Sequence, residues 1–278
     1  MRTIAKQISE GLSGCYTAGE VSALTRIIAT ELLGIPQMIF FLKDEVTLTA
    51  EQQTLLGNAI ERLKKQEPIQ YILGYCDFCG LRFNVTPATL IPRPETSELV
   101  EWIASEATGA ESILDIGTGS GCIAVSLAHK MPQSKVTAWD ISHEALAVAT
   151  ENSKANGQAV IFEQVDILAY EPAGEQFDII VSNPPYIKEN EKEAMHSNVL
   201  DWEPHTALFV PDSAPLLFYR TIAEKGLTLL LPGGRLYFEI NRAHGKETME
   251  MLAALGYTGI ELRKDFADND RMIRAVKN

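Results

Sequence analysis

Residues 180–187 read Ile-Val-Ser-Asn-Pro-Pro-Tyr-Ile, and the apolar run that begins at Phe177 has the composition of a buried strand. An amide, two prolines and a phenol at a strand end form a chemical set. The prolines stiffen the loop and remove backbone donors, but they keep their carbonyls as acceptors. The stretch therefore offers the Asn183 side-chain oxygen and the Pro184 carbonyl, with Pro185 holding the turn and Tyr186 supplying a flat face. Two acceptors and a π-surface suit a planar NH₂ group, one N–H to each oxygen. The nitrogen of an amide or aromatic amine has a delocalised lone pair and is a poor nucleophile. Chemistry on it rests on in-line positioning against an electrophile. Contacts that bend the nitrogen toward tetrahedral geometry strengthen only in the transition state. A rigid turn without a ligand is the bland alternative, and such a turn needs neither the Asn nor the Tyr.

A second set lies upstream. Asp115-Ile116-Gly117-Thr118-Gly119-Ser120-Gly121 joins a short apolar stretch to a helical one. Glycines at 117, 119 and 121 permit a tight turn and close approach of a ligand to the backbone. Only Ser120 separates the last two, so the G-x-G-x-x-G spacing of dinucleotide sites is absent. Asp140 closes the next apolar stretch, where a carboxylate can accept both hydroxyls of a ribose. Asp166 stands where it could accept an adenine amino group, and Ile167 could pack on the ring. A ligand-free glycine turn, and Asp140 as a cap for a helix starting near Ser142, are the structural alternatives. A nucleoside site without dinucleotide spacing, joined to an NH₂ clamp, points to S-adenosylmethionine as cofactor and to methyl transfer.

These groups need a frame that brings strand ends together. Strands are expected at 113–116, 135–139, 160–165, 177–182, 235–240, 260–263 and 272–276. Helices are expected at 121–130, from Ser142 to Asn156-Gly157, at 215–231 ending on Pro232-Gly233-Gly234, and at 246–255. This alternation predicts an α/β fold with a seven-stranded, doubly wound, mostly parallel sheet. The last pair of strands, joined without a helix, should be antiparallel. Residues 1–70 read as a small helical domain. Val21, Leu24, Ile28 and Leu32 share one face until Gly34-Ile35-Pro36. Thr49-Ala50-Glu51-Gln52 opens a second helix whose apolar stripe is Leu55, Leu56, Ala59, Ile60 and Leu63, with Pro68 ending it. Residues 71–95 predict a β-hairpin around Gly80, with Tyr71-Ile72-Leu73 on its approach, and a stiff Pro92-Arg93-Pro94 connector. Residues 96–278 hold the sheet. The long acidic connection over 188–214 is expected to cover part of the substrate.

Composition narrows the class. The chain of 278 residues carries a net charge of −13, of which residues 1–75 supply only −1 (7 basic against 8 acidic). The acidic remainder repels phosphate backbones, so no direct nucleic-acid partner is expected. No apolar run is long enough to span a membrane, and no secretory signal opens the chain, so a cytoplasmic location is expected. Cys76 and Cys79 have C-x-x-C spacing without a second ligand pair, and the five histidines are scattered. The reading is two reduced thiols in the hairpin and no metal.

Residues 115–121 with Asp140 and Asn-Pro-Pro-Tyr resemble the seven-stranded S-adenosylmethionine-dependent amino methyltransferases, a group that includes adenine-N6 DNA enzymes. A narrower resemblance lies in Pro68-Ile69-Gln70-Tyr71-Ile72-Leu73-Gly74, Phe78-Cys79-Gly80-Leu81-Arg82-Phe83-Asn84-Val85 and Leu90-Ile91-Pro92-Arg93-Pro94-Glu95-Thr96. With Glu203-Pro204 and Asp265-Phe266-Ala267-Asp268-Asn269-Asp270-Arg271, these stretches closely resemble the release factor glutamine methyltransferase family. The likeness runs from about residue 66 to the end; the helical start fits that family in pattern only. The resemblance implies methylation of the glutamine amide in the Gly-Gly-Gln loop of class I peptide chain release factors. It implies that Gly117, Thr118, Gly119, Ser120, Gly121, Asp140, Asp166 and Ile167 hold the cofactor and that Arg93 lines the site. Asn183, Pro184, Pro185 and Tyr186 would hold the glutamine, with Asn183 also near the methyl group. The family position after Asp166 is usually aromatic, so Ile167 would stack less strongly on adenine. A sister family acting on a ribosomal-protein glutamine shares Asn-Pro-Pro-Tyr but usually departs from Pro-Arg-Pro-Glu-Thr. A nucleic-acid adenine methyltransferase and a non-catalytic cofactor-binding module are the other readings.

Overall fold

The computed structural model describes residues 2–39 and 46–278. The chain forms two compact units: residues up to Gly74 together with His196–Trp202, and Tyr75–Met195 together with Glu203–Asn278.

The first unit holds α1 (Arg2–Gly11), α2 (Ala18–Ile27), α3 (Ala50–Lys64) and α4 (Ile69–Leu73). Helix α2 runs on as a π-helical turn, Ile28–Leu32. Reciprocal capping boxes start α2 (Thr17 with Glu20) and α3 (Thr49 with Gln52), each closing backbone donors that a helix start leaves open. Leu56, Ala59, Ile60 and Leu63 are buried along α3, but Leu55 is exposed, because it falls one residue outside the i, i+3, i+4, i+7 stripe. On α2 the buried line runs through Thr25, Ile28 and Ala29, with Val21, Leu24 and Leu32 half-buried beside it. Pro68 does not simply end α3. It stands at the N-cap of α4, and Gly74, left-handed at φ 81°, closes that turn. Tyr71–Leu73 are therefore helical, not the approach to a strand.

The second unit opens on the expected hairpin, β1 (Tyr75–Phe78) and β2 (Leu81–Asn84). Its two-residue turn, Cys79-Gly80, has positive φ at both positions, the geometry that matches the twist of paired strands. Arg93 is extended, and Pro94 occupies the first turn of α5 (Pro94–Glu106), where a missing N–H costs nothing. There follow β3 (Ser112–Ile116), α6 (Cys122–Lys130), β4 (Lys135–Asp140), α7 (His143–Ala155), β5 (Val160–Gln164) and β6 (Phe177–Ser182). The 188–214 connection is not featureless: a parallel pair, β7 (Ile187–Lys188) and β8 (Phe209–Val210), spans it, and a helical turn α8 (Ser197–Leu200) lies between. The chain ends with α9 (Leu217–Leu229), β9 (Leu230–Glu239), α10 (Gly245–Ala254), β10 (Thr258–Lys264) and β11 (Asp270–Val276).

The sheet order is β10-β11-β9-β6-β3-β4-β5. Strand β11 alone runs against its neighbours, so the seven-stranded doubly wound reading holds. Pro232-Gly233-Gly234 do not stop α9, which ends at Leu229. They form a bulge inside β9, whose pairing with β6 jumps from Phe177↔Leu230 to Ile179↔Arg235. A proline and two glycines fit a looped-out bulge better than a paired ladder.

Side chains alternate between the two faces of the sheet. Ile113, Ile179, Val181 and Tyr237 pack with α5 and α6; Leu114, Ile116, Ile180, Leu236 and Phe238 pack with α9 and α10. The same alternation sends Asp115 and Glu239, and Asn183 just past β6, toward the α5/α6 face.

Thr49→Ala is expected to lower stability by about 1 kcal/mol through loss of the cap, read as a shifted urea midpoint; an unmoved midpoint would show that the cap contributes nothing.

Candidate active site

The loop from β3 to α6 is pinned to β4. Gly117 N and Thr118 N donate to Trp139 O at 2.8 and 3.0 Å, and Gly119 N donates to Asp140 Oδ2 at 2.8 Å. Gly117 and Gly119 have φ of 74° and 56°, and a Cβ on either would meet nothing within 4 Å. At Gly121 a Cβ would lie 3.0 Å from Ala149 Cβ. The first two glycines thus set the loop's path beside open space, and the third lets the loop pack on α7.

Asp140 takes part in the helix start and also stands at a cavity. Its Oδ1 accepts from Ser142 N at 2.9 Å, and Ser142 Oγ in turn caps α7 through Ala145 N. The same carboxylate borders a cavity of about 380 Å³ at the C-terminal edge of the sheet. Burial raises its pKa, against the pull of the Ser142 and Gly119 amides. Beneath the loop, Asp115 is fully buried. Its Oδ2 accepts from Thr118 Oγ1 at 2.6 Å and Ala124 N at 3.2 Å, while Oδ1 has no partner among the described residues. Burial pushes this carboxyl up to about 7 despite those two donors.

Strands β3 and β6 are parallel neighbours with Ile116 opposite Ser182, and Ser182 Oγ donates to Ile116 O at 2.6 Å. The chain turns to opposite sides of the sheet from these two strands, which makes their ends a switch point where α/β folds bind ligands. Asn183, Pro184 and Pro185 border the cavity there, and no hydrogen bond to another described residue engages the Asn183 carboxamide. Asn241 Nδ2 donates to Tyr186 O at 3.2 Å and fixes the loop's far end.

Of the residues singled out from sequence, Gly117, Thr118, Gly119, Ser120, Asp140, Asp166, Ile167, Arg93, Asn183, Pro184 and Pro185 line this one cavity. Gly121 and Tyr186 fall outside its lining. The Tyr186 ring packs against the α9/α10 core, and burial, reinforced by Glu239, raises its phenol pKa. Asp166 Oδ1 accepts from Leu168 N at 2.9 Å. Ile141 and Leu168, exposed yet bordering the cavity, join Ile167 as apolar surface for a planar group. Arg93 pairs with buried Glu203 at 2.5 Å, and Glu203 Oε2 also accepts from Ile91 N at 3.2 Å. This clasp ties the Pro-Arg-Pro segment to the stretch that brings Thr206 and Phe209 to the cavity.

Sequence reading passed over Thr96 and Glu239. Thr96, in the first turn of α5, lines the cavity and donates to Glu239 Oε2 at 2.6 Å. Glu239 ends β9, buried, and its pKa is pushed up to about 7 by burial. Thr96 directly follows the Pro-Arg-Pro-Glu string, the one signal that could have pointed to it. Cys76, Cys79 and Cys122 have thiol pKa values raised by burial, to about 11 at Cys76, which leaves little thiolate. Among the described residues no group of three or more His, Cys, Asp or Glu could hold a metal ion.

Comparison with known proteins decides the family. Residues 95–201 match the Methyltransferase small domain, and residues 6–74 match the PrmC N-terminal domain. The chain is 49% identical to the release factor glutamine methyltransferase of Bacteroides thetaiotaomicron over 276 residues, 99% of each protein. It is 45% identical to that of Flavobacterium psychrophilum over 273 residues, 96% of each. The chain belongs to the release factor glutamine methyltransferase family. Members of this family are S-adenosylmethionine-dependent methyltransferases. The fold is also that of a methyltransferase crystal structure from Pyrococcus furiosus (TM-score 0.55, 19% identity, 83% of this chain and 100% of that one). A Thermus thermophilus 16S rRNA N2 G1207 methyltransferase in complex with AdoMet and guanosine shares it too (TM-score 0.53, 16% identity, 73% and 50%).

The residues present fit the family's cofactor: an unpartnered buried hydroxyl at Ser120 on the cavity lining, open space beside Gly117 and Gly119, and a strand-end carboxylate at Asp140. Asp140→Ala is expected to weaken S-adenosylmethionine binding by roughly 1.5–3 kcal/mol, the usual size for hydrogen bonds to a charged group. Calorimetry giving an unchanged affinity would remove Asp140 from the site.

Asp115 and Glu239 also set a pH dependence of stability. Their folded pKa values, about 7, exceed the ordinary 3.8 and 4.5, so the folded chain holds protons that the unfolded chain has lost. The resulting stability is complete below about pH 4 and is lost as pH rises through about 7. The unfolding midpoint is expected to fall between about pH 5 and pH 8, and less steeply in Glu239→Gln. Parallel curves for the two proteins would exclude Glu239 as a source.

Proposed function

We propose that this protein transfers a methyl group from S-adenosylmethionine to the side-chain amide nitrogen of the glutamine in the Gly-Gly-Gln loop of class I peptide chain release factors, and thereby modulates translation termination. The observation that carries this reading is the carboxamide of Asn183, free of hydrogen bonds to the other described residues and bordering the same cavity as the glycine loop. The family membership supplies the substrate class.

In this reading Asp140 takes the ribose hydroxyls, Asp166 the adenine amino group, and Ile141, Ile167 and Leu168 the faces of the ring. Gly117 to Ser120 give the amino-acid part of the cofactor a backbone surface, with Gly121 packing the loop in place. When bound, S-adenosylmethionine supplies a sulfonium-activated methyl group. Asn183 Oδ1 and the Pro184 carbonyl each accept one N–H of the glutamine amide and hold the nitrogen at a fixed angle. Tyr186 acts from below, as a packed base for the loop. Because the nucleophile is weak, positioning contributes much of the rate. The Arg93–Glu203 clasp holds the cover over the amide and limits water.

The helical unit is assigned to docking the protein substrate, since it carries no chemistry-bearing cluster. An acidic surface and a release-factor substrate both fit a cytoplasmic protein that binds neither nucleic acid nor membrane directly. No described helix is long and apolar enough to cross a membrane. The Pro-Arg-Pro-Glu-Thr string favours the release-factor group over the ribosomal-protein one.

The test supplies labelled S-adenosylmethionine with a release factor whose Gly-Gly-Gln glutamine is intact or replaced. Label is expected only with the intact factor; label on both would overturn the assignment. Asn183→Ala should lose roughly 100-fold or more in turnover while cofactor affinity stays within about threefold. An equal loss in both would contradict the clamp.

A further inference from the structure

Methylating an amide nitrogen leaves it with one proton too many, and the clamp offers only neutral acceptors. The carboxylates that line the cavity, Asp140 at the end of β4 and Asp166 just after β5, lie on the far side of β3 from Asn183. Asp115 lies beneath the glycine loop and does not line the cavity. Ser182 pairs with Phe238, so Asn183 and Glu239 are the next residues along two neighbouring strands. Adjacent strands lie about 4.8 Å apart. Glu239 does not itself line the cavity, but Thr96 does, and the two are joined by a 2.6 Å hydrogen bond.

We propose that Thr96 and Glu239 form the proton exit of the site, with the Thr96 hydroxyl taking the amide proton and passing its own to the Glu239 carboxylate. This rests on the amide-methylation reading above. The balance is complete. The nitrogen–carbon bond forms as the donor's sulfur–carbon bond breaks, and the donor's positive charge moves to the nitrogen. The N–H bond then breaks toward Thr96 Oγ1, and the Thr96 O–H bond breaks toward Glu239 Oε2. A cation and a carboxylate become a neutral N-methyl amide and a neutral acid, and water takes the proton when product leaves.

The surroundings of Glu239 suit an acceptor better than an ion-pair partner. Arg271 of β11 approaches it, but its Nε is bonded to Asp265 Oδ2 at 3.0 Å. Arg93 is committed to Glu203, and Glu95 at the start of α5 opposes the carboxylate charge. The phenols of Tyr186 and Tyr219 also face it, both neutral in this setting. Glu239 forms no salt bridge among the described residues, and Thr96 is its one side-chain donor there. Burial then holds its pKa at about 7, near the value that serves an acceptor best.

Glu239→Gln keeps an acceptor for Thr96 and removes the capacity to take a proton. In single-turnover methylation of an intact release factor, the wild-type rate is expected to rise with pH through about 7. The Gln variant should be roughly 100-fold slower without that rise. Its Michaelis constants for cofactor and substrate should stay within about threefold. Thr96→Val should lose a similar factor, and Thr96→Ser, which keeps the hydroxyl, should retain most of the rate. In the protein alone, the infrared band of protonated carboxyls should titrate near pH 7 with contributions from Asp115 and Glu239, and its amplitude should fall in Glu239→Gln. A Gln variant with wild-type rate and pH profile would overturn the relay while leaving the methylation reading intact. So would a loss that Thr96→Ser shares with Thr96→Val. Failure of the wild type to label the intact factor would sink the methylation reading and the relay together.

Discussion

The site depends on one parallel pairing. Strands β3 and β6 lie side by side although their last residues, Ile116 and Ser182, are 66 positions apart, and these two face each other across the ladder. The glycine loop and the Asn-Pro-Pro segment both leave the sheet from that register. One residue past the pair, the chain becomes a glycine loop on one strand and an Asn-Pro-Pro segment on the other. A slip of one residue would turn Asp115 and Asn183 to the opposite face, away from α5 and α6. The Ser182–Ile116 hydrogen bond reinforces the pair at its last rung.

Around that pairing the structure commits most polar groups to one another and leaves few free. The loop amides are taken by Trp139 O and Asp140, the Asp140 carboxylate also starts α7, and Asn241 holds the backbone of Tyr186. The prolines have no donors to satisfy. Among the described residues, the Asn183 carboxamide, one oxygen of Asp115 and the Ser120 hydroxyl are left without a hydrogen-bond partner there. A buried polar atom without a partner is costly in a folded chain, and Ser120 Oγ lies on the cavity lining, where a ligand can complete it.

Electrostatics at the sheet edge has a second layer behind the cavity. Asp115 and Glu239 are both carboxyls held in low dielectric with few donors, and both titrate near neutrality. The neighbouring carboxyls Asp265 and Glu203 are buried too, but each is paired with an arginine. The contrast separates carboxylates neutralised by an arginine from carboxyls that have none bonded to them among the described residues. It also explains a fold that keeps ionisable residues in its interior at some expense of stability.

Much of the arrangement was legible along the chain because it is local. Loop glycines, the cap at Ser142, the capping box at Thr49 and the strand ending at Asn183 each depend on neighbours a few residues away. Period-two and helical patterning carried the order of the sheet elements, since apolar faces must be buried. The sequence also marked Arg93, without showing that Glu203, 110 residues later, is its partner. Tertiary structure alone decided the rest. Tyr186 reads as a stacking ring, yet it lies half-buried against the core and off the cavity lining, because covering a phenyl body is favourable. Thr96 and Glu239 look unremarkable 143 residues apart; only the approach of the start of α5 to the end of β9 makes them a pair. The bulge at Pro232 was hidden for the same reason, since a ladder is a relation between strands and neither strand carries it by itself.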